Sequence, residues 1–262
     1  MSDRAAWQLP AFTATVLAPR RWHHALVIPV LNEDGRITAQ LERLAAAAPP
    51  VDVVIADGGS TDGSLDPEGL RRRGVRALLV KTGPGRLSAQ LRMAYAWCLD
   101  ETYHGIVTMD GNGKDGVEAV TAFVARLEAG EDYVQGSRYL PGGLAENTPL
   151  DRHLAGRLLH APVLSLAARH WFTDTTNGFR AYSARYLRDA RVAPFRDVFV
   201  RYELLFYLTV RAPRLGFRVS EIPVARRYPR RQAAPTKIAG WRGRFAMLRE
   251  VFGAALGRFD PP

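Results

Sequence analysis

Residues 51–64 read VDVVIADGGSTDGS. A nearly unbroken apolar run stops at Asp57, and a glycine, serine and threonine stretch follows at once. A strand that is apolar on both faces needs cover on both faces, which is the habit of parallel sheets layered between helices. Similar runs stand at 25–30 (ALVIPV), 75–80 (VRALLV), 105–109 (GIVTM) and 132–136 (DYVQG), with helical patterns near 36–48, 64–73, 86–99 and 116–129. This alternation predicts an α/β fold, a Rossmann-like, mostly parallel sheet flanked by helices. Ligands of such sheets bind at the carboxyl ends of the strands, and three unusual segments fall there: PVLNE, DGGSTDG and DGNGKD.

The second half is less regular. A PGG loop at 141–143 leads to a long helical stretch near 151–171, then to DTTNGFRAYS, a helix at 199–211 and a strand at 217–222. RRYPRRQAAPTK, basic and punctuated by proline, reads as a loop whose Arg226, Arg227, Arg230, Arg231 and Lys237 could clamp phosphates or simply be solvated. A chain of 262 residues, 47% hydrophobic, is long enough to bury the core of one large domain.

The formal net charge is +10, and lysine occurs only at 81, 114 and 237, so arginine supplies nearly all of the positive charge. Such an excess favours anionic partners: phosphates, acidic lipid surfaces or nucleic acid. A basic nucleic-acid-binding module would show clustered exposed aromatics for base stacking. Here the aromatics fall mostly in apolar strands and helices, which argues against nucleic acid as a partner. The single cysteine, Cys98, excludes an internal disulfide. Asp3, Arg4, Gln8 and Pro10 break up the first twenty residues, unlike a signal peptide. No run approaches the ~20 apolar residues that cross a bilayer. The expectation is a cytoplasmic protein with any membrane contact peripheral, at the inner face of the membrane.

At the strand ends, Pro29 stops the pairing of the first strand and Glu33 opens the turn that follows. A carboxylate and backbone amides at that point can face a base or ribose, although an ordinary strand-to-helix turn is the plainer reading of these residues alone. Asp57 can accept hydrogen bonds from a nucleobase or ribose, and Gly58 and Gly59 clear the approach of a flat ligand. The alternative is a turn in which Ser60, Thr61 or Asp62 caps the next helix; that accounts for Asp62 and leaves Asp57 unexplained. Asp110 follows the fourth strand. No GxGxxG follows the first strand and no GxxxxGK[ST] occurs, so neither a dinucleotide fold nor a P-loop is indicated. None of the six histidines has metal-ligand spacing.

Taken in order, VIPVLNE, DGGSTDG, DGNGKD, GSRYLPGG, DTTNGFRAY, EIPV and the RxxxxTK spacing from Arg231 to Lys237 resemble the inverting family-2 glycosyltransferases of the GT-A fold. Within them the chain is most similar to dolichyl-phosphate mannose synthases and bacterial polyprenyl-phosphate sugar transferases. Each motif alone is weak, and their order and spacing over about residues 24–240 are specific. The resemblance implies transfer of a sugar from a nucleotide-diphosphate donor with inversion at the anomeric carbon. It implies a GT-A domain at 24–240 with a nucleotide-sugar half at 24–137 and an acceptor half at 138–240, an N-terminal extension at 1–23 and a C-terminal amphipathic segment at 241–262. Carried over by position, Pro29, Asn32, Glu33 and Asp57 would contact the nucleoside, and Asp110 and Asn112 would hold Mg2+ or Mn2+. Arg138, Arg231 and Lys237 would bind donor diphosphate or acceptor phosphate. The chain departs from the pattern where DDGS is DGGS, where the second metal carboxylate is Asn112, where a ligand that is commonly glutamine is Lys114, and where a glycine of the basic motif is Ala234.

Loss of a nucleotide diphosphate leaves negative charge on the β-phosphate, and a cation there lowers the barrier. An ammonium at ~4 Å from a divalent ion, at an effective dielectric of 20, is repelled by roughly 8 kcal/mol, so Lys114 and a metal cannot share one ligand shell. Either Lys114 turns outward, toward Asp115 or a donor phosphate, or it takes over part of the metal's role; a solvated loop lysine is the plain alternative. The acceptor decides whether a base is needed. A polyprenyl phosphate is already anionic and needs only positioning by arginines, with Arg152 and Arg157 as candidates. A small hydroxyl acceptor, as in antibiotic or small-glycoside biosynthesis, needs a carboxylate, and Asp174 is the candidate catalytic base, with a structural cap or turn aspartate as the alternative. Finally, Trp241, Phe245, Leu248, Phe252 and Leu256 recur at helical spacing, with Arg242, Arg249 and Arg258 elsewhere. The expectation is that this stripe packs on the domain body; the alternative is a membrane interface.

Overall fold

The computed structural model describes residues 3–229 and 240–262. Eight strands form one sheet: β1 (Phe12–Val16), β2 (His24–Val30), β3 (Asp52–Asp57), β4 (Val75–Lys81), β5 (Gly105–Thr108), β6 (Tyr133–Ser137), β8 (Arg180–Ser183) and β9 (Val219–Pro223), in the order β1-β4-β3-β2-β5-β8-β6-β9. β4, β3, β2 and β5 run parallel, as the apolar runs predict. β8 lies antiparallel between β5 and β6, and β6 pairs in parallel with β9. The sheet is therefore mixed, within one domain.

Two strands of this sheet have no counterpart in the sequence reading, nor do the short strands Leu144–Glu146 and Ala225–Arg227 outside it, the latter correcting the loop expected from residue 226 onward. β1 pairs antiparallel with β4 and turns part of the expected N-terminal extension into a sheet edge. β8 is the RAYS of DTTNGFRAYS, four residues with an arginine and no apolar run to announce them. Arg180 can be buried there because its guanidinium donates to the carbonyls of Asn177 (2.9 Å), Thr175 (2.8 Å) and Leu205 (2.6 Å) and to Thr209 Oγ1 (3.0 Å). A buried charge is tolerable when every donor is used. The arginine thereby fastens the 174–178 loop to the sheet.

Helices cover both faces. α1 (Gly35–Ala47) and α4 (Val120–Glu128) close one apolar layer with Leu26, Ile28, Ile55 and Val107. α3 (Leu87–Asp100) and α8 (Glu203–Arg214) close the other with Val27, Val54, Ala77 and Leu79. α2 (Pro67–Arg72) starts later than the expected helix at 64–73, because Asp66, not Asp62, caps it by accepting from the Gly69 amide at 2.7 Å. α7 (Ala184–Arg188) is a short helix after β8.

α5 (Leu150–Ala155), a wide π turn (Gly156–His160) and α6 (Ala161–Ala168) are continuous, and the helix stops at Arg169, which is left-handed at φ 55°. α9 (Gly240–Ala255) forms despite its glycines and packs on α6 and α8 through Val251 and Ala254, with Phe259 folded back against Gly253. It buries this narrow small-residue face. Phe245, Phe252 and Leu256 point outward, which corrects the expectation that their stripe packs on the body. The side chains of Trp241 and Arg242 lie outside the described residues. β7 (Leu144–Glu146) and β10 (Ala225–Arg227) form a separate parallel ribbon.

Candidate active site

The loops after β2 and β3 are laced to each other. The Asn32 amide donates to Ser60 Oγ at 3.0 Å, and Asn32 Oδ1 accepts from the Thr61 amide at 2.8 Å. Asn32 and Asp34 hold φ of 50° and 48°, a conformation that asparagine and aspartate tolerate better than most residues. Asp57 is buried and accepts from the Ser60 amide (2.9 Å) and hydroxyl (2.7 Å), which fixes the turn that follows β3. Asp62 caps no helix; it accepts from the Asp34 amide (2.8 Å) and from Ser64, whose hydroxyl is the main cause of its lowered pKa. Glu33 is buried and pairs with Arg36 at 3.1 Å, and Pro29 sits inside β2 rather than at its end. Beside this turn Asp57, Ser60, Asp62, Leu65 and Val80 line a cleft of about 430 Å³.

Two glutamines escaped the sequence reading. Gln90 of α3 is buried and donates to the carbonyls of Val30 (2.9 Å) and Ala56, at the ends of β2 and β3. Gln40 of α1 donates to the Asp110 carbonyl at 3.0 Å and accepts from the Gly113 amide at 2.9 Å, which pins the third loop. Gly111 passes so close that a Cβ would lie 3.0 Å from the Pro29 carbonyl oxygen.

Asp110 stands just past β5 in a cluster of charges. Its Oδ2 accepts from Arg226 Nη2 at 2.9 Å and from Asn112 Nδ2 at 3.3 Å. Arg226, on β10, also binds both oxygens of Asp115 through Nη1, at 2.8 and 2.7 Å. Burial pushes the Asp110 carboxyl up, but Arg226 and then Lys114 outweigh it and hold the group below its ordinary pKa. At Asp115 burial prevails and the pKa is raised. Lys114 is buried, with Nζ 4.8 Å from the centroid of the Tyr228 ring. Burial first and Arg226 second lower its pKa. Its ammonium is therefore not a solvated loop cation, and the Asp115 carboxylate is held by Arg226.

Arg226 is a member of the basic segment that the motif spacing ranks below Arg231 and Lys237. Nothing distinguishes it from Arg227 along the chain; the register of β10 on β7 sets Arg226 against Asp110 and Asp115 and sends Arg227 outward to Glu146.

Asp174 and Arg138 form a buried bidentate pair. Arg138 Nε reaches Oδ2 at 2.7 Å and Nη2 reaches Oδ1 at 2.9 Å. The Arg138 amide and the Thr176 amide and hydroxyl fill the remaining acceptor positions. Burial alone would raise the Asp174 carboxyl, yet Arg138 holds it below the usual range. A carboxylate so engaged is a poor proton acceptor, which favours the structural alternative for Asp174: it holds Arg138 in place. Arg138 and Arg157 lie on the Tyr139 ring, with guanidinium carbons 5.2 and 5.1 Å from its centroid. Tyr228 has its pKa lowered although burial opposes this, because Arg226, Arg138 and Arg152 surround its hydroxyl. Five cations (Lys114, Arg138, Arg152, Arg157 and Arg226) thus gather around Tyr139 and Tyr228, against the carboxylates of Asp110, Asp115 and Asp174. Arg231 and Lys237 lie outside the described residues.

Among the described residues no three His, Cys, Asp or Glu side chains converge as a metal cage. Asp110 Oδ1 nevertheless faces the bare Cα of Gly178, where an added Cβ would lie 2.7 Å from it, and the side chain keeps 29% exposure. One open carboxylate oxygen fits a cation that brings phosphate oxygens with it, and does not fit a permanently caged ion; Asn112 turns its Nδ2 to Asp110 and its Oδ1 to the Lys114 amide at 3.3 Å, so it would have to flip to serve as a second ligand.

A cationic rim thus surrounds an aspartate where the sheet switches from parallel to antiparallel strands, between β5 and β8. The chain belongs to glycosyl transferase family 2, whose family model matches residues 25–191. It is 30% identical over 220 residues to the undecaprenyl-phosphate mannosyltransferase of Micrococcus luteus, covering 82% of this chain and 86% of that one. It is 28% identical over 240 residues to the polyprenol monophosphomannose synthase of Mycolicibacterium smegmatis, covering 90% and 88%. In structure it is similar to glucosyl-3-phosphoglycerate synthase from Mycobacterium tuberculosis in complex with Mn2+, UDP and phosphoglyceric acid, with a TM-score of 0.63 at 18% identity over 91% of this chain and 79% of that one. The same enzyme with Mg2+ and UDP gives 0.62 at 19% identity, covering 91% and 80%.

Proposed function

We propose that this enzyme moves a hexosyl group, with mannose as the first sugar to test, from a nucleotide-diphosphate donor to a polyprenyl phosphate with inversion at the anomeric carbon. The observation that carries the reading is the gathering of Lys114, Arg138, Arg152 and Arg226 beside Asp110, which suits two phosphate groups meeting at one carbon. The lipid-phosphate relatives support the acceptor class. In this reading the donor half is 24–137, with Pro29, Asn32, Glu33 and Asp57 at the nucleoside, and the acceptor half is 138–240.

A phosphate-monoester oxygen of the acceptor attacks the anomeric carbon from the face opposite the leaving group. The bond from that carbon to the β-phosphate oxygen breaks, and its electron pair stays on the nucleoside diphosphate. No proton has to be removed, in keeping with an Asp174 committed to Arg138. Lys114 and Arg226 meet the charge growing on the leaving group; a unit charge at ~4 Å and an effective dielectric of 20 is worth roughly 4 kcal/mol. Arg138, Arg152 and Arg157 hold the acceptor phosphate, joined in this proposal by Arg231 and Lys237. Mg2+ or Mn2+ on Asp110 and Asn112 would add Lewis-acid stabilisation of the β-phosphate.

The test is a panel of nucleotide sugars assayed for transfer to a short-chain polyprenyl phosphate, with and without chelator. Transfer to the lipid phosphate that is lost in chelator is expected. Full activity in chelator would remove the metal from the scheme and leave Lys114 and Arg226 as the cations. Transfer to hydroxyl acceptors only would replace the polyprenyl phosphate with a soluble substrate.

A further inference from the structure

The helix that runs from Leu150 to Ala168 has two unlike faces. One looks into the site. His153 stacks edge-on against Tyr139 with centroids 5.2 Å apart, Arg157 lies over the same ring, and Gly156 stands where a Cβ would meet Thr176 Oγ1 at 3.4 Å. Arg152 reaches Tyr228. Further along, His160, Leu164 and Ala168 are buried against the body. The other face is apolar and uncovered: Leu150 is 70% exposed, Leu154 45% and Leu158 72%, at successive i, i+4 positions, and Leu166 continues it at 83%.

A helix of a globular protein normally turns its apolar stripe toward the core, and contiguous exposed apolar surface marks a place of contact. α9, packed directly on α6, exposes Phe245 and Phe252, and Leu256 just past its end is exposed as well. Uncovered leucines beside Arg152 and Arg157, on a chain of net charge +10, match an anionic bilayer in both hydrophobicity and sign. A second copy of the chain would bring like charge against like.

We propose that the leucine face of this helix seats the enzyme on an anionic lipid bilayer while the opposite face takes the acceptor's phosphate. The inference rests on the polyprenyl-phosphate reading for the acceptor, but not for the surface itself. The bilayer then lies along the rim of the site, and a polyisoprenoid phosphate reaches Arg152 and Arg157 without its hydrocarbon leaving the membrane. No spanning segment is required, and among the described residues no helix is long and apolar enough to be one.

The test is sedimentation with sucrose-loaded vesicles made of equal parts phosphatidylglycerol and phosphatidylcholine, set against pure phosphatidylcholine. The triple variant Leu150→Ser, Leu154→Ser, Leu158→Ser is compared with wild type and with Leu158→Ser alone, each checked for folding by circular dichroism. Expected is at least about tenfold weaker partitioning of the triple variant onto the anionic vesicles. Transfer to a water-soluble short-chain acceptor should persist, while transfer to a long-chain acceptor embedded in vesicles drops by a similar factor. Equal vesicle binding by wild type and triple variant overturns the proposal, as does a wild type that ignores anionic vesicles. So does a wild-type dimer that the leucine changes split while vesicle binding stays the same. Vesicle binding with no transfer to any polyprenyl phosphate would instead sink the acceptor assignment and leave the surface standing.

Discussion

Replacing Arg226 by methionine keeps a similar apolar stem and removes the guanidinium that Asp110 and Asp115 share. The three hydrogen bonds lost measure 2.7 to 2.9 Å, and the side chains of Arg226 and Asp115 are 8% and 0% exposed. Removing one partner of a buried pair leaves an uncompensated charge and costs about 3–5 kcal/mol, against about 0–1 kcal/mol for an exposed pair. In a chain of this size each kcal/mol moves the melting temperature by about 2–4 °C, so a fall of about 6–20 °C is expected. The double variant Arg226→Met, Asp115→Asn removes the stranded charge and should recover a large part of the loss. Urea titrations of the wild type, both single variants and the double variant give the coupling energy. A coupling below about 0.5 kcal/mol, or an Arg226→Met loss below about 1 kcal/mol, would refute the buried-cluster reasoning.

Gly178→Ala puts a methyl 2.7 Å from Asp110 Oδ1 and displaces the carboxylate; kcat/KM should fall about a hundredfold while stability changes by no more than about 1–3 kcal/mol, and unaltered kinetics would show that this oxygen takes no part. Asp174→Asn should lower kcat/KM by about ten- to a hundredfold through loss of its grip on Arg138, with no limb removed from the pH–rate profile; disappearance of a basic limb would restore the base assignment. Glu250 is pushed up to about 7 by burial, with Glu203 adding to it. The folded protein therefore holds this proton where the unfolded chain has lost it, and stability from this group is full below the unfolded pKa of about 4.5 and drains away as pH rises toward 7. Melting curves against pH should show Glu250→Gln more stable than wild type above pH about 7; a uniform offset at every pH would contradict this.

The parallel half of the sheet was legible because β2 to β5 are buried on both faces and written as apolar runs, and the rim was legible because glycines and aspartates cluster where those runs end. β8 was not, since a strand of four residues containing Arg180 shows no hydrophobic pattern; its burial depends on carbonyls brought in by distant segments. Arg226 is visible in the basic segment but cannot be singled out from its neighbours, for a related reason. Whether an arginine in a basic run faces carboxylates or solvent is set by strand register, and β10 takes its register from β7, some eighty residues earlier. The two readings of Asp174, base or structural aspartate, cannot be separated from sequence, because a sequence reveals a carboxylate and not the five hydrogen bonds that occupy it. The C-terminal stripe shows the same limit: its period was read correctly, yet the side that packs is the one small enough to approach α6 closely.

The wide turn at Gly156–His160 carries one more residue than an ordinary helical turn, and one residue of an α-helix is worth about 100° of rotation. That extra step works like an offset coupling in a drive shaft, letting the front of the rod aim its arginines at one target while the rear stays keyed to another. Shortening the segment by a single residue, with composition otherwise untouched, would swing the front half by more than a quarter of a revolution. Among related chains, length between Arg152 and His160 is therefore a better guide to shared behaviour than identity of the side chains in between.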